Sequence, residues 1–295
     1  MGDLKGHALP GSLFLFFGFW WAFQGLRRYF MSRKDGLQYR ATAAFNVTCV
    51  CCKNPRYKNW PVEGFFKIAL SSFGLLLELF AHLPVPPMPI VQHATMYFFF
   101  LVSGVVDVSL HYNIPLPPGS DYMSLALAFT VEGLLFANHL HGRPILDVHL
   151  HVLLVYVIVV TVAVLVLECR FRESPLLTLC RGYLVMLQGS WFWAVGIILY
   201  GHGGEHLNTA WEMDKPEEVM ISTIYFTWHC AALFILLFLL AVFMSCCYVG
   251  FRRSRATSSK PLRDGALKDT EFQKLQKLLD EFSDDADDGI GEDDM

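Results

Sequence analysis

Apolar segments of about 18 residues or more recur along this chain, and they constrain its fold more than any other feature. A helix of that length crosses the roughly 30 Å hydrocarbon layer of a bilayer. Of the 295 residues, 54% are hydrophobic and only 17% are charged, which favours a lipid environment over water. The sequence therefore predicts an all-α, polytopic membrane protein, a seven-transmembrane-helix bundle with spans at about 9–28, 62–82, 91–111, 120–141, 148–169, 175–200 and 219–248.

Basic residues lie almost entirely on one side of these spans. Lys and Arg beside a span resist translocation, so the basic side is predicted to be cytoplasmic, with the N-terminus outside or luminal and the C-terminus cytoplasmic. Residues 1–250 would form the transmembrane domain, and 251–295 a cytoplasmic tail, basic and then acidic, that is largely disordered. The sequon at Asn46 would then lie in the cytosol and remain unmodified. The host membrane is predicted to be the plasma membrane or the endomembrane system.

Ionisable residues within the spans form two predicted groups, because each costs a few kcal/mol or more in lipid unless it has a partner or a task. The first group lies toward the cytoplasmic ends of the helices and is predicted to be a structural ionic cluster. Its members are Glu63, Lys67, Asp107 and Arg181.

The second group joins carboxylates to imidazoles in the outer half of the bundle. Glu78 and His82 are four residues apart on one helical face, and the short turn between helices four and five is dense in histidine. An HxH pair on a helix points its rings apart, so only one of each pair is expected to face the interior. The predicted polar site comprises Glu78, His82, His93, Glu132, His139, His141, Asp147, His149, His151, Gln188 and His229.

Imidazole is a ligand for zinc or copper, and a carboxylate behind it can orient the ring. The candidate metal ligands are His93, His139, His149 and His229. No HExxH motif occurs, and an imidazole that is hydrogen-bonded in the core or at the membrane interface is the commoner role for each histidine alone. Near the cytoplasmic end of the last span, Cys246 and Cys247 are candidate palmitoylation sites, with small apolar helix residues as the alternative.

Several motifs resemble the transmembrane protein 45 family, including its transmembrane epididymal protein branch. The resemblance covers residues 1 to about 250 and implies a seven-helix, multi-pass protein with no established biochemical activity. The motifs are Gly6-His-Ala-Leu-Pro-Gly11, Gln92-His-Ala-Thr-Met-Tyr97, His141-Gly-Arg-Pro144 with Asp147, His149 and His151, Gln188-Gly-Ser-Trp-Phe-Trp193, and Trp228-His229.

Three classes of function are compatible with the sequence. The leading hypothesis is a non-enzymatic membrane protein whose polar site senses, binds or stabilises membrane partners. The alternatives are a metal-dependent membrane-embedded hydrolase, with Glu132 or Asp147 as base, and a proton or cation transporter. Its partners would be the lipid bilayer and either other membrane proteins or further copies of the chain. We find no nucleic-acid-binding motif.

Overall fold

The computed structural model describes residues 4–48, 59–81, 84–138, 140–201 and 210–248, together with Lys274. The chain forms two compact units, residues 1–241 and residues 242–295. In the second unit, the described part is the end of one helix, up to Tyr248, and Lys274.

The expected α-helical fold is confirmed. The helices of the described chain are α1 (Leu4–Asp35), α2 (Val62–Ala81), α3 (Met88–His111), α4 (Ser120–Ala137), α5 (Ile145–Arg170), α6 (Pro175–Tyr200) and α7 (Pro216–Tyr248). Between α1 and α2, the two-residue strands β1 (Val47–Thr48) and β2 (Asn59–Trp60) pair antiparallel.

Among the described helices, α1, α3, α5, α6 and α7 are long and apolar enough to cross a membrane. The other two are α2, which contains Glu63, Lys67 and Glu78, and α4, which contains Asp121 and Glu132. The chain is a multi-pass integral membrane protein.

The helices α3, α5 and α7 begin three residues before the predicted spans, and α1 and α4 also differ from them in length. The helix α1 extends beyond 9–28 at both ends, and Arg33 and Lys34 in its last turn are favourably placed against the negative end of the helix dipole. The helix α4 ends at Ala137, with Asn138 as its C-cap; the backbone N–H of Asn138 still makes a helical bond to the carbonyl of Leu134. Gly142 has a φ of 73°, a conformation that glycine adopts readily.

The most extensive helix pairing joins α1 to α6 through glycines spaced seven residues apart. A Cβ at Gly18 would lie 2.8 Å from the carbonyl oxygen of Gly182, and a Cβ at Gly189 would lie 2.6 Å from that of Gly11. Early residues of α1 thus meet late residues of α6, so the two helices run antiparallel. Small residues allow backbones to approach closely, which stabilises helix pairs in lipid by van der Waals contact.

The first part of α7 packs on α6. The Trp191 ring meets Phe226 and His229 edge to face, with centroids 5.0 and 5.5 Å apart. The hydroxyl of Tyr183 donates to the carbonyl of Cys230 at 3.1 Å. These contacts attach α7 to the bundle through one narrow face, and many of its other apolar side chains are exposed.

Candidate functional site

A cavity of about 880 Å³ lies within residues 1–241 and is lined by side chains from all helices except α7. Its walls are mainly apolar and include Leu13, Phe14 and Phe100. At one end it is lined by Trp21 and Lys67, both buried, which we call the floor of the cavity. About 16 residues of α1 separate the floor from Lys5 at the opposite end, a span of roughly 24 Å at 1.5 Å per helical residue.

The end opposite the floor, which we call the mouth, carries polar side chains. Lys5 and His7 come from the start of α1, and His141 and Arg143 from the turn between α4 and α5. Lys5 and His141 are exposed.

Glu132 is the most isolated carboxyl group of the cavity wall. It lies on α4 and is only 1% exposed. Within the part of the chain that the structure describes, its Oε2 atom has no hydrogen-bond partner. Phe129 and Phe136, three residues before it and four residues after it, line the same cavity, so the carboxyl group is flanked by aromatic rings on one helical face.

Glu78 and His93 connect α2 to α3 near the mouth. The Oε1 atom of Glu78 lies 3.3 Å from Nδ1 of His93, and both side chains are partly exposed. This contact lets the carboxylate orient the ring.

A second carboxylate and histidine pair lies at the start of α5. The Nδ1 atom of His151 is 2.8 Å from Oδ1 of Asp147, and Arg143 donates to both oxygens of the same carboxylate at 3.1 and 3.0 Å. The His151 ring is 2% exposed, lines the cavity and lies 5.9 Å from the ring of His7. The Arg143 charge is therefore balanced by Asp147.

Four predicted site residues that the structure describes do not line the cavity: Asp147, His149, Gln188 and His229. His149 contacts the hydroxyl of Thr223 on α7 at 2.8 Å, and His229 rests against the edge of Trp191. Gln188 is fully buried and donates to Thr161 at 2.8 Å. Within the His149 and His151 pair, His151 is thus the one that faces the cavity.

Two predicted site residues, His82 and His139, lie outside the described residues. The helix α4 ends at Ala137, before the predicted end of that span at residue 141. Among the described residues, no group of three or more His, Cys, Asp or Glu side chains could hold a metal ion. His93, His149 and His229 instead make the separate contacts given above.

At the floor, Glu63 is the centre of a buried hydrogen-bond network. It accepts from the indole N–H groups of Trp20 at 3.0 Å and Trp21 at 2.6 Å, and from the backbone N–H of Phe45 at 2.8 Å. Lys67 lies 3.8 Å from Glu63 and donates to Asp107 at 2.6 Å. Charged groups of α2 and α3 thus balance one another away from water.

Arg181 forms a different ion pair, with Glu168 of α5. Its Nε atom lies 2.8 Å from Oε2 of Glu168, and both side chains have 0% exposure. The guanidinium also donates to the backbone carbonyls of Ala43 at 2.6 Å and Thr42 at 3.0 Å. Its carbon lies 4.5 Å from the centroid of the Trp21 ring, and Nζ of Lys67 lies 5.6 Å from the same centroid.

Residues 36–48, which follow α1, pack into this buried region. The hydroxyl of Tyr39 donates to Thr178 at 2.8 Å, and Thr178 donates to Glu168 at 2.5 Å. Burial raises the pKa of Tyr39, so its hydroxyl keeps the proton that it donates. Residues 36–48 are consequently part of the packed bundle.

Sequence reasoning did not include Glu168, Trp20, Trp21 or His7 in either site. Glu168 ends a strongly apolar run, where a carboxylate is typical of the membrane interface. The number of charges gave no signal for it, because the two acids and two bases of the predicted cluster already balance one another. Cys246 and Cys247 are exposed, as a lipidation site requires.

One family model and several known proteins are similar to this chain in sequence. The model of a family of unknown function (DUF716) matches residues 119–244. Transmembrane epididymal protein 1A of Mus musculus is 24% identical over 248 residues, covering 78% of this chain and 76% of the relative. Transmembrane epididymal protein 1 of Rattus norvegicus is 25% identical over 247 residues, with 78% and 76% covered. Transmembrane epididymal protein 1 of Homo sapiens is 28% identical over 139 residues, covering 47% of this chain and 50% of the relative.

These similarities confirm the expected relationship to the transmembrane epididymal proteins. The matched region, residues 119–244, contains Glu132, Asp147 and His151 and excludes α1. No activity accompanies the relatives' names, so function has to be argued from the cavity.

Proposed function

We propose that this protein binds a small hydrophobic or amphipathic molecule in its cavity and does so without catalysing a reaction. The single observation that carries this proposal is the cavity itself, with about 880 Å³, apolar walls and few polar groups. Sites for small molecules in proteins are typically pockets of roughly 300–1,000 Å³ with this composition. The histidine and carboxylate groups would then orient the ligand.

Binding is favoured over metal-dependent hydrolysis by the arrangement of the polar groups. A catalytic zinc needs three protein ligands around one point. The candidate ligands His93, His149 and His229 contact, instead, a carboxylate, a hydroxyl and an aromatic ring, respectively. Of these three, only His93 lines the cavity and can contact a bound molecule there.

The proposal includes seven membrane crossings, with the N-terminus outside or luminal. The basic residues support this orientation, because the end of α1 and the turn between α5 and α6 are rich in arginine, as cytoplasmic segments are. A ligand would then reach the mouth of the cavity from the outer surface or from the outer leaflet.

Photolabelling with a matched pair of variants tests the proposal. Purified protein in lipid nanodiscs is irradiated with diazirine derivatives of octylamine, octanol and octanoic acid, and the labelled peptides are identified by mass spectrometry. Leu13→Trp fills the cavity, whereas Leu127→Trp adds the same ring at an exposed position of α4. We expect labelling of cavity residues by at least one probe, lost in Leu13→Trp and kept in Leu127→Trp. Labelling that is confined to the outer surfaces of the helices, or equal in the two variants, would refute a binding cavity.

A further inference from the structure

We propose, on the basis of the binding function above, that the ligand is a lipophilic amine whose ammonium group pairs with Glu132. The cavity can hold an apolar chain along its walls, and Glu132 supplies a carboxyl group with no positive partner, which a bound ammonium group would keep in its ionised form. The neighbouring aromatic rings make the same location favourable for a cation.

The charge of the ligand is inferred from the charged residues of the cavity that already have a partner of opposite charge. Lys67 at the floor is held by Asp107 and Glu63, and Arg143 at the mouth is held by both oxygens of Asp147. Glu132 has no such partner, and its Oε2 atom accepts no hydrogen bond from the described residues. Lys5, the remaining Lys or Arg of the lining, is exposed at the mouth, so the uncompensated group that is buried is an acid, and its complement is a hydrogen-bond donor with positive charge.

Aromatic side chains around Glu132 add a second reason for a cation. Phe129 and Phe136 flank the carboxyl group on α4, and both line the cavity. The Phe129 ring contacts the rings of Phe14 and Phe100, at centroid distances of 6.0 and 5.2 Å. The electron-rich faces of such rings attract an ammonium group within about 6 Å, most strongly away from water.

The depth of Glu132 sets the orientation of the ligand. Five residues separate it from the end of α4 at Ala137, which places it roughly 8 Å below that helix end at 1.5 Å per residue. Leu125, seven residues earlier on the same helix, lines the cavity roughly 10 Å closer to the floor. An amine at Glu132 can thus extend a short alkyl chain toward Trp21 without approaching the mouth.

The three octyl probes of the photolabelling experiment distinguish this inference from the general binding function. In the wild-type protein we expect octylamine to compete for the labelled cavity more strongly than octanol or octanoic acid. Glu132→Gln keeps the size of the side chain and removes its charge. Removing one partner of a buried charged hydrogen bond lowers affinity by about 30-fold or more. We therefore expect Glu132→Gln to bind octylamine that much more weakly than the wild-type protein does. Octanol should be nearly unaffected.

Glu78→Gln is the matched control, because Glu78 is the other carboxylate of the cavity wall near the mouth and is already in contact with His93. It should leave octylamine binding within a few fold of wild type.

If Glu78→Gln weakens the binding of octylamine and Glu132→Gln does not, the assignment to Glu132 is wrong. If Glu132→Gln abolishes the binding of every probe, the test is the order of probe affinities in the wild-type protein. If octanol or octanoic acid binds the wild-type protein as tightly as octylamine, the proposal of an amine ligand is wrong, while the cavity remains a binding site. If no probe labels the cavity, the binding function itself fails and the amine with it.

Discussion

Gly189 lies where the backbones of α1 and α6 approach most closely, and replacing it by alanine gives a sharp test of that interface. A Cβ there would lie 2.5 Å from the backbone nitrogen of Leu15 and 2.6 Å from the carbonyl oxygen of Gly11. Because both atoms belong to the backbone, no change of rotamer can relieve the contact. Ordinary contact begins at 3.4 Å, so the helices must separate locally by about 0.9 Å, the difference between 3.4 and 2.5 Å.

The cost of that separation can be given an order of magnitude. Overpacking a close interface typically costs about 1–3 kcal/mol. A gap of that width also forfeits roughly a quarter to a half of the dispersion energy of each contact that it opens. Since α1 packs against α6 more extensively than any other helix pair, we expect Gly189→Ala to lower the free energy of unfolding by about 2–3 kcal/mol.

Gly133→Ala is the matched control within another helix of the bundle. A Cβ at Gly133 would lie 3.1 Å from the Cγ2 atom of Ile158, the end of a side chain that can move by a few tenths of an ångström. This change should leave stability within about 0.5 kcal/mol of wild type. Both variants gain similarly from the higher helix propensity of alanine, so their difference reports packing.

The measurement is reversible denaturation of purified protein in mixed micelles, followed through tryptophan fluorescence. If Gly189→Ala proves as stable as Gly133→Ala, or more stable, the close approach of α1 to α6 through glycine is refuted. A loss of stability in both variants of equal size would also contradict the reasoning, because it would show no dependence on the backbone contact.

Three further predictions concern other parts of the chain. Arg181→Met should lower the free energy of unfolding by about 3–5 kcal/mol, because it leaves Glu168 charged and buried without its partner, and adding Glu168→Leu should restore much of the loss. Asn46 should remain unglycosylated in mammalian cells, as judged by glycosidase treatment and gel mobility, whereas a sequon inserted between α6 and α7 should be modified. A thioester-exchange assay should detect acylation that disappears when both Cys246 and Cys247 are changed to serine.

Each of these has a clear contrary result. A double variant at Arg181 and Glu168 that is as unstable as the single one would show that the damage lies in the lost contacts to residues 42 and 43 and not in an unpaired charge. Glycosylation of Asn46 would invert the proposed orientation. Acylation that persists without Cys246 and Cys247 would place the lipid on another cysteine.

Helix positions followed from the sequence because the apolar runs are long and their ends are marked. The predicted span at 175–200 coincides with α6, which begins after Ser174 with Pro175 and ends before Gly201. The prediction failed at the end of α4, where Leu140 and His141 continue the polar and apolar pattern but Gly142 allows a turn. Hydropathy alone does not distinguish a helix end from a polar turn at the membrane surface.

The site was less predictable, because it depends on which helices are neighbours. Sequence indicated that Glu78, His93, Glu132 and His151 point to one region, and these residues do line one cavity. It could not choose between His149 and His151, since the rotation of a uniformly apolar helix such as α5 is set by its packing partners. The seven-residue spacing of glycines in α1 and in α6 was visible, yet only the structure shows that the two series face each other.

The docking of residues 36–48 has a consequence for how the protein is made. Ala43 receives its bond from Arg181, which lies 138 residues later in the chain. At about 5–20 residues per second, a ribosome needs roughly 7–28 s to synthesise that interval. During this time the carbonyls of Thr42 and Ala43 are without the guanidinium that binds them. The first connection to leave the ribosome therefore reaches its native packing only after the sixth helix has been synthesised.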